Sequence, residues 1–325
     1  MMKHYSTCLE GLSEMNCPDS IDYYDCGANR ITKIENLPKG LVTLECQNNQ
    51  IRKIESLPKS LKKLNCGNNN IEKIENLPKK LIDLVCHDNP ISEIENLPIF
   101  LQNLECGNSN IMFIRNLPST LRSLDLCNSF ITRVENIPDS VKYLDCDRNC
   151  ITVIQNLPST LIKFRISDNI VHKIENLPMK LEIFDCSLNL VSKIENLPDS
   201  LVEFDCENNN ITVLENLPKC LERLYCEENR IRRIENLPMS LKIFNYTKRY
   251  VEYIDNVHYW SVNFSLKGYQ AIKRLQKKTC RNILNDTNLI QEHVREWIWK
   301  PVGNDNIIGV SPRLDIQEMG ILILV

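Results

Sequence analysis

The chain has 325 residues and a nearly balanced charge, with 39 Lys and Arg against 42 Asp and Glu. This balance excludes the strongly basic character of a general polyanion binder, and 42% hydrophobic residues exclude a largely disordered chain. Residues 1–10 lack the apolar core of a secretory signal peptide, and no apolar run is long enough to span a membrane. We therefore expect neither export nor a membrane partner.

A partial repeat ending in Cys17-Pro18 begins the chain, and we predict that residues 1–20 cap the N-terminus. Residues 21–260 form twelve repeats of 20 residues without insertion, which start at every twentieth residue from Ile21 to Leu241. Positions 1–20 of each repeat are numbered from that residue. Position 18 is proline in eleven repeats: Pro38, Pro58, Pro78, Pro98, Pro118, Pro138, Pro158, Pro178, Pro198, Pro218 and Pro238.

The apolar residues within a repeat predict a stacked core. One repeat reads Leu61-x-x-Leu64-x-Cys66-x-x-Asn69-x-Ile71-x-x-Ile74-Glu75-Asn76-Leu77-Pro78. Positions 4 and 6 alternate as in a short strand, and strands that recur at a fixed period stack as a parallel sheet. No repeat can bury its apolar residues alone, so neighbours must cover them. Twenty residues leave no room for a helix, and the opposite side is predicted to be extended.

This pattern resembles the leucine-rich repeat, L-x-x-L-x-L-x-x-N-x-L. The Leu-Pro pair and the repeat length are similar to bacterial effector repeats, whereas Ile-Glu-Asn-Leu-Pro with Cys at position 6 is similar to repeats of large DNA viruses of the mimivirus type. The resemblance implies an α/β-type repeat solenoid: a leucine-rich repeat arc with a parallel concave β-sheet, an extended helix-poor convex side and a small helical C-terminal cap.

Nine of the 15 cysteines occupy position 6, where Leu126, Ile166 and Tyr246 also occur. A site that accepts these residues favours a compact hydrophobe, so we predict buried, reduced thiols in a reducing, cytoplasmic compartment. Single thiols at this spacing do not predict a zinc site, and no metal or cofactor is expected. A disulfide within the group Cys8, Cys17 and Cys26 stays an alternative.

Asparagine recurs at position 9, where the strand ends, and its amide is predicted to bridge consecutive turns as a ladder. Ser109 and Ser129 interrupt this ladder. Position 5 lines the predicted concave face and is acidic in seven of twelve repeats. A solvated face is one interpretation, and capture of a basic protein segment is the other; direct nucleic-acid binding is disfavoured. The candidate binding acids are Asp145, Asp185, Asp205, Glu207 and Glu227.

Position 10 is polar or Pro in the first five repeats and apolar in the four repeats from 121 to 200. These four residues form what we call the apolar stripe: Phe130, Cys150, Ile170 and Leu190. Strict register predicts a continuous exposed surface, which Leu188 can extend. Its interpretations are a partner-binding site, self-association, or cover by the apolar C-terminal tail at 320–325.

Residues 261–325 are predicted to form a C-terminal cap and tail, with two short helices within 266–300. Some effector relatives carry a ubiquitin-ligase domain with a Cys-x-Asp motif, but Cys280 is followed here by Arg281-Asn282. The chain is therefore predicted not to be an enzyme. The leading hypothesis is a non-enzymatic protein–protein interaction scaffold. The alternative is a structural or self-assembling protein, virion-associated for example, that forms homo-oligomers through the stripe and the tail.

Overall fold

The computed structural model describes residues 4–6, 20–238, 240–247, 251, 253–254, 301–302 and 306–307. The chain divides into two compact units, Met1–Val191 and Ser192–Val325. The helices predicted within 266–300 and the tail at 320–325 lie outside the described residues. The limits 1–20, 21–260 and 261–325 therefore stay predictions.

The first compact unit is built on a parallel sheet in which the strands lie in chain order. From the second strand onward, each strand covers positions 3–5 of a repeat. Each pairs with the same positions of its neighbour, so that Leu144 lies opposite Phe164. The strands are His4–Ser6, Tyr23–Asp25, Thr43–Glu45, Lys63–Asn65, Asp83–Val85, Asn103–Glu105, Ser123–Asp125, Tyr143–Asp145, Lys163–Arg165 and Ile183–Asp185.

The second compact unit continues the same pattern with the parallel strands Glu203–Asp205, Arg223–Cys226 and Ile243–Tyr246. A further parallel sheet contains Val213–Leu214, Arg233–Ile234 and Tyr253–Ile254. Lys193–Ile194 is another short strand, and Pro301–Val302 pairs antiparallel with Asn306–Ile307. Parallel strands at a period of 20 residues confirm the predicted repeat solenoid.

The side opposite the sheet, called the back side here, is extended as predicted. In the first compact unit, Lys73–Ile74 pairs with Glu93–Ile94 and Arg133–Val134 pairs with Val153–Ile154; Lys173–Ile174 is a further strand. Residues 33–34, 53–54 and 113–114 form no strand. Among the described residues, no helix has the length and apolar character needed to cross a membrane.

The core lies between the sheet and the back side. Leu41, Leu44, Cys46 and Ile51 are fully buried, and the same positions are buried in neighbouring repeats. Burial of one such leucine or isoleucine side chain contributes about 1.5–3 kcal/mol. Position 4 changes from leucine to phenylalanine at Phe164 and Phe184, whose rings stack with centroids 5.7 Å apart. The core therefore runs uninterrupted through the repeats of the first compact unit.

Two positions in each repeat adopt left-handed backbone conformations. Position 16, which is the asparagine of Asn-Leu-Pro in most repeats, has a φ of 52° to 57° from Asn36 to Asn236. Asparagine tolerates this region better than most residues, which explains its recurrence there. Position 8 is also left-handed, and there it accepts bulky residues such as Arg148 (φ 55°) and Leu188 (φ 52°).

Candidate functional site

The asparagine ladder fixes the turns that follow the strands. The Asn169 side-chain amide donates to the carbonyls of Cys146 (3.0 Å), Ile166 (3.2 Å) and Ser167 (3.0 Å). Its Oδ1 accepts from the backbone N–H of Ile151 at 2.9 Å. One side chain thus joins two consecutive repeats, and the predicted bridge is confirmed.

The ladder weakens where serine replaces asparagine. The Ser109 hydroxyl donates to the Cys106 carbonyl at 2.8 Å and lies 3.0 Å from the Ser129 hydroxyl. Among the described residues, neither serine bonds the position-11 N–H of the preceding repeat, as Asn89 does for Ile71 (2.9 Å). The shorter side chain therefore leaves out one bond between repeats.

The apolar stripe lies along the edge that the ladder fixes. The backbone N–H of each stripe residue donates to position 11 of the preceding repeat, as Phe130 does to Ile111 (2.9 Å) and Leu190 does to Val171 (3.0 Å). This places stripe residues one repeat apart, at about the 4.8 Å spacing of strands. Phe130, Ile170 and Leu190 are 52%, 44% and 41% exposed. Cys150 is exposed as well. The first compact unit brings all four together.

Leu188 lies two residues before Leu190 and is 49% exposed. Its φ of 52° is a conformation that costs a branched apolar residue about 1–2 kcal/mol relative to the right-handed region. Asparagine occupies this position at Asn48, Asn68 and Asn108. Leu188 is thus both strained and exposed to water. Nothing in the packing of its own repeat explains why leucine occupies this position.

The acidic side chains of the sheet face, which positions 3, 5 and 7 line, have a structural role that the sequence analysis missed. Asp145 Oδ1 accepts from the backbone N–H of Asp147 at 3.0 Å. Asp185 Oδ1 accepts from the Ser187 N–H at 3.1 Å and from its hydroxyl at 2.7 Å. These bonds cap the turn after the strand. Part of the acidic series therefore stabilises the repeat.

Arg165 interrupts the acidic series of the first compact unit. Its guanidinium nitrogens lie 3.7 Å from Asp145, 3.2 Å from Asp147 and 3.8 Å from Asp185. Burial, followed by the neighbouring charge of Asp145, raises the pKa of Asp147 to about 7. Burial also raises the pKa of Asp145. This part of the sheet face is a charge cluster rather than a uniformly negative surface.

The other candidate acids, Asp205, Glu207 and Glu227, belong to the second compact unit. Asp205 Oδ1 accepts from the Glu207 N–H at 3.0 Å, which repeats the turn cap of the first compact unit. The carboxylates of Glu207 and Glu227 lie at position 7, where both residues are half-buried. Each compact unit thus carries its own set of sheet-face acids.

The repeat cysteines are free and buried, as the sequence predicts. Burial raises the pKa of the Cys66 thiol to about 12, and it raises the pKa of Cys46 well above its usual range. Such thiols are poor nucleophiles. Cys26 is buried, while Cys8 and Cys17 lie outside the described residues. Within the part of the chain that the structure describes, no group of His, Cys, Asp and Glu is arranged to hold a metal ion.

One feature of the first compact unit escaped the sequence analysis. Met112 and Phe113 lie exposed on the back side, beside a cleft of about 600 Å³. Position 12 is polar in every other repeat from Thr32 to Arg232, so a comparison of this position between repeats could have identified Met112. Because Phe130 bonds to Ile111, the stripe begins next to this residue pair.

Solved structures share this architecture. YopM from Yersinia enterocolitica WA-314 is 25% identical, with a TM-score of 0.54 over 74% of this chain and 63% of that one. YopM from Yersinia pestis, a leucine-rich effector protein, is 22% identical, with a TM-score of 0.56 over 73% and 83%. The APL1 leucine-rich repeat domain is 20% identical, with a TM-score of 0.61 over 72% and 68%. The fold is a leucine-rich repeat solenoid.

No protein-family model matches the chain, and no curated protein matches it. The likeness to the leucine-rich repeat structures therefore rests on the shared fold. Those neighbours are leucine-rich repeat proteins, and they give no support for a viral origin. The chain spans less than two thirds of the Y. enterocolitica YopM chain. The partner of this chain and its binding surfaces are therefore proposed below.

Proposed function

We propose that this leucine-rich repeat chain is a non-enzymatic scaffold that binds a protein partner through the apolar stripe. The observation that carries the proposal is the exposure of Phe130, Ile170 and Leu190 in consecutive register. The same position is polar or Pro in the first five repeats, so the core does not need apolar residues there. The leucine-rich effector protein among the structural neighbours is consistent with such a role.

The energetics of the stripe favour a macromolecular partner. Apolar surface that leaves water contributes about 25 cal/mol for each Å², and aromatic anchors contribute most to interfaces. Phe130 is the aromatic member, with 52% of its surface exposed. The strained and exposed Leu188 adds to the same edge. A partner that covers these side chains would remove their apolar surface from water, which stabilises the complex.

A basic segment of the partner is the second element of the proposal. Asp185 lies on the sheet face of the first compact unit, and Asp205, Glu207 and Glu227 lie on that of the second. Carboxylates so arranged attract basic residues and repel nucleic-acid phosphates. Arg165 already pairs with Asp145. We therefore expect Asp145 to contribute less than Glu227 to such an interaction.

We further propose a reducing, intracellular location, which the free thiols of the repeat core support. The alternative function, self-assembly through the stripe and the tail, uses the same exposed residues with a second copy as the partner. It extends to a virion-associated role only through the sequence resemblance to repeats of large DNA viruses. The oligomeric state separates the two functions, since a scaffold for another protein is expected to be monomeric.

The test is a double variant, Phe130→Asp with Ile170→Asp, compared with the control Ile99→Asp. Ile99 is 70% exposed and lies at position 19, away from the stripe. Exposed substitutions shift stability by no more than about 0.5 kcal/mol, so both variants should melt like the wild type. The double variant should lose association by tenfold or more, because it removes two central apolar anchors.

Association is measured by capture from lysate and by light scattering of the purified chain. Loss of a captured protein by the double variant alone supports the scaffold, and loss of a homo-oligomer alone supports self-assembly. If the double variant keeps its partners and its oligomeric state, the stripe has no binding role and the proposal fails. If it fails to fold while Ile99→Asp folds, the stripe is part of the core and the proposal fails as well.

A further inference from the structure

The cleft on the back side of the first compact unit reaches the core. Its volume is about 600 Å³, and it lies between repeats 101–120 and 121–140. Eight of the fourteen residues that line it are apolar, among them Ile114, Leu126, Ile131, Val134, Ile137 and Cys146. Clefts of 300–1,000 Å³ with apolar walls and few polar groups are typical of small-molecule sites.

Two kinds of hydrogen bonding between repeats are incomplete where the cleft opens: the pairing of back-side strands and the asparagine ladder. Residues 113–114 form no strand, a feature shared with residues 33–34 and 53–54, whereas Glu93–Ile94 and Arg133–Val134 on either side each pair with another strand. The asparagine ladder is replaced by Ser109 and Ser129 in the same two repeats. Between residues 20 and 238, which the structure describes without a gap, these are the only two serines at position 9.

The rim of the cleft is apolar and cationic. Phe113 is 60% exposed, and the guanidinium carbon of Arg115 lies 5.9 Å from the centre of its ring. Five other repeats carry Lys and Glu at these two positions, and the charged atoms of Lys173 and Glu175 lie 2.5 Å apart. The repeat 101–120 therefore replaces an internally paired, neutral surface with an aromatic ring and a positive charge.

Arg115 and Arg133 both line the cleft, together with Glu135. Neither arginine has a carboxylate within 4.0 Å among the described residues, although Arg233 pairs with Glu235 at 2.5 Å in a later repeat. A guanidinium binds carboxylates and other oxyanions with two parallel hydrogen bonds. The rim thus offers two available anion-binding groups beside an apolar cleft.

We propose that the cleft binds a small amphipathic anion, with its apolar body inside and its carboxylate, or a comparable oxyanion, on Arg115 and Arg133. The volume favours a small molecule over a peptide segment, and the two unpaired guanidinium groups determine the sign of its charge. Phe113 covers the apolar body at the rim. No stripe residue lines this cleft, and the site does not depend on the proposed scaffold function.

The experiment uses the full chain and the fluorescent probe 1-anilinonaphthalene-8-sulfonate, which has aromatic rings and one sulfonate. Wild type should bind the probe, and dodecanoate should displace it. Dodecyltrimethylammonium has the same apolar chain with the opposite charge and should displace it at least tenfold less well. Equal displacement by the two amphiphiles would overturn the assignment of an anion.

Two variants restore the residues that other repeats carry, Phe113→Lys and Arg115→Glu. Each should weaken probe and dodecanoate binding by tenfold or more while thermal melting stays unchanged. The charge-reversal control Arg30→Glu, at an exposed residue of another repeat that lines neither this cleft nor the one at Arg52, and the stripe variant Phe130→Asp should bind both like wild type. Unchanged binding by Phe113→Lys and Arg115→Glu would overturn the proposal, as would loss of binding by Phe130→Asp alone.

Discussion

The repeats from 41 to 100 and the repeats from 101 to 140 have the same core and different edges. In the earlier repeats, Asn69 donates to the carbonyls of Cys46 and Cys66 and accepts from the N–H of Ile51. In the later repeats, Ser109 and Ser129 replace the asparagine, whereas the back side lacks a strand in both regions, at residues 53–54 and at residues 113–114. The position-1 and position-4 residues nevertheless stay fully or almost fully buried in both regions.

This difference shows that the core and the edges of the solenoid are determined separately. Stacked apolar side chains hold successive repeats together whether or not the asparagine ladder is complete. A repeat can therefore vary its edge residues at a modest cost in stability. Exposed apolar side chains lie where the asparagine ladder is interrupted, at Met112, Phe113 and Phe130, and at Ile99 and Phe100 just before it. Binding surfaces in this chain are thus expected where the edges depart from the common repeat.

Removal of a complete bridge should have the largest effect. Asn169→Ala is expected to destabilise the chain by about 1–3 kcal/mol, since it leaves the Ile151 N–H and three carbonyls without their shared partner. The matched variant Ser109→Ala removes a shorter bridge and should cost less than about 1 kcal/mol. Chemical denaturation monitored by circular dichroism measures both. Equal losses for the two variants would contradict the difference between the regions.

A substitution at Gly107 tests how closely the backbone of this repeat approaches the next repeat. A Cβ atom at residue 107 would lie 2.6 Å from Cys127 Sγ and 2.8 Å from its carbonyl oxygen. Gly107→Ala is therefore expected to cost about 1–3 kcal/mol through overpacking. Gly40→Ala is the control, because nothing lies within 4 Å of its Cβ position. The melting temperatures of the two variants measure this cost. A Gly107→Ala variant as stable as Gly40→Ala would refute the close contact.

The fold and part of the surfaces could be predicted from the sequence, since apolar positions such as Leu44 and Cys46 recur with a period that only stacking satisfies. The Asn169 bridge and the exposed Phe130 follow from the same register. The contacts of Arg165 could not be predicted, because they depend on which side chains three neighbouring strands bring together. The left-handed φ of position 16 and the cleft at Phe113 depend on backbone geometry that the apolar period does not encode.

The charge cluster around Arg165 predicts a pH dependence. The pKa of Asp147 is raised to about 7 from 3.8, so the folded chain retains a proton that the unfolded chain loses between about pH 4 and 7. Stability should therefore fall as pH rises through this window. Asp147→Asn should be more stable than wild type at pH 8, and the gap should narrow towards pH 4. A gap that is independent of pH would show that Asp147 does not titrate in this range.

Relief of the strain at Leu188 should have the smallest effect on stability. Leu188→Asn is expected to stabilise the chain by about 0.5–1 kcal/mol, because asparagine tolerates a positive φ. The converse variant Asp168→Leu, at the same position of the preceding repeat with a φ of 54°, should lose a similar amount. Chemical denaturation compares the two. If Leu188→Asn is destabilising, the leucine packs against its own chain and does not extend the stripe.

Hydrogen exchange at single amides shows whether the edges of the solenoid vary while its core persists. The N–H groups of Ile51, Ile71 and Ile151 donate to asparagine side chains of the next repeat. Ile91 and Ile111 occupy the same position before Ser109 and Ser129. The account predicts that Ile91 and Ile111 exchange at least tenfold faster than Ile51 and Ile71, while the Cys106 and Leu126 amides in the same region stay protected. Uniform protection along position 11, or loss of protection at Cys106 and Leu126, would contradict it.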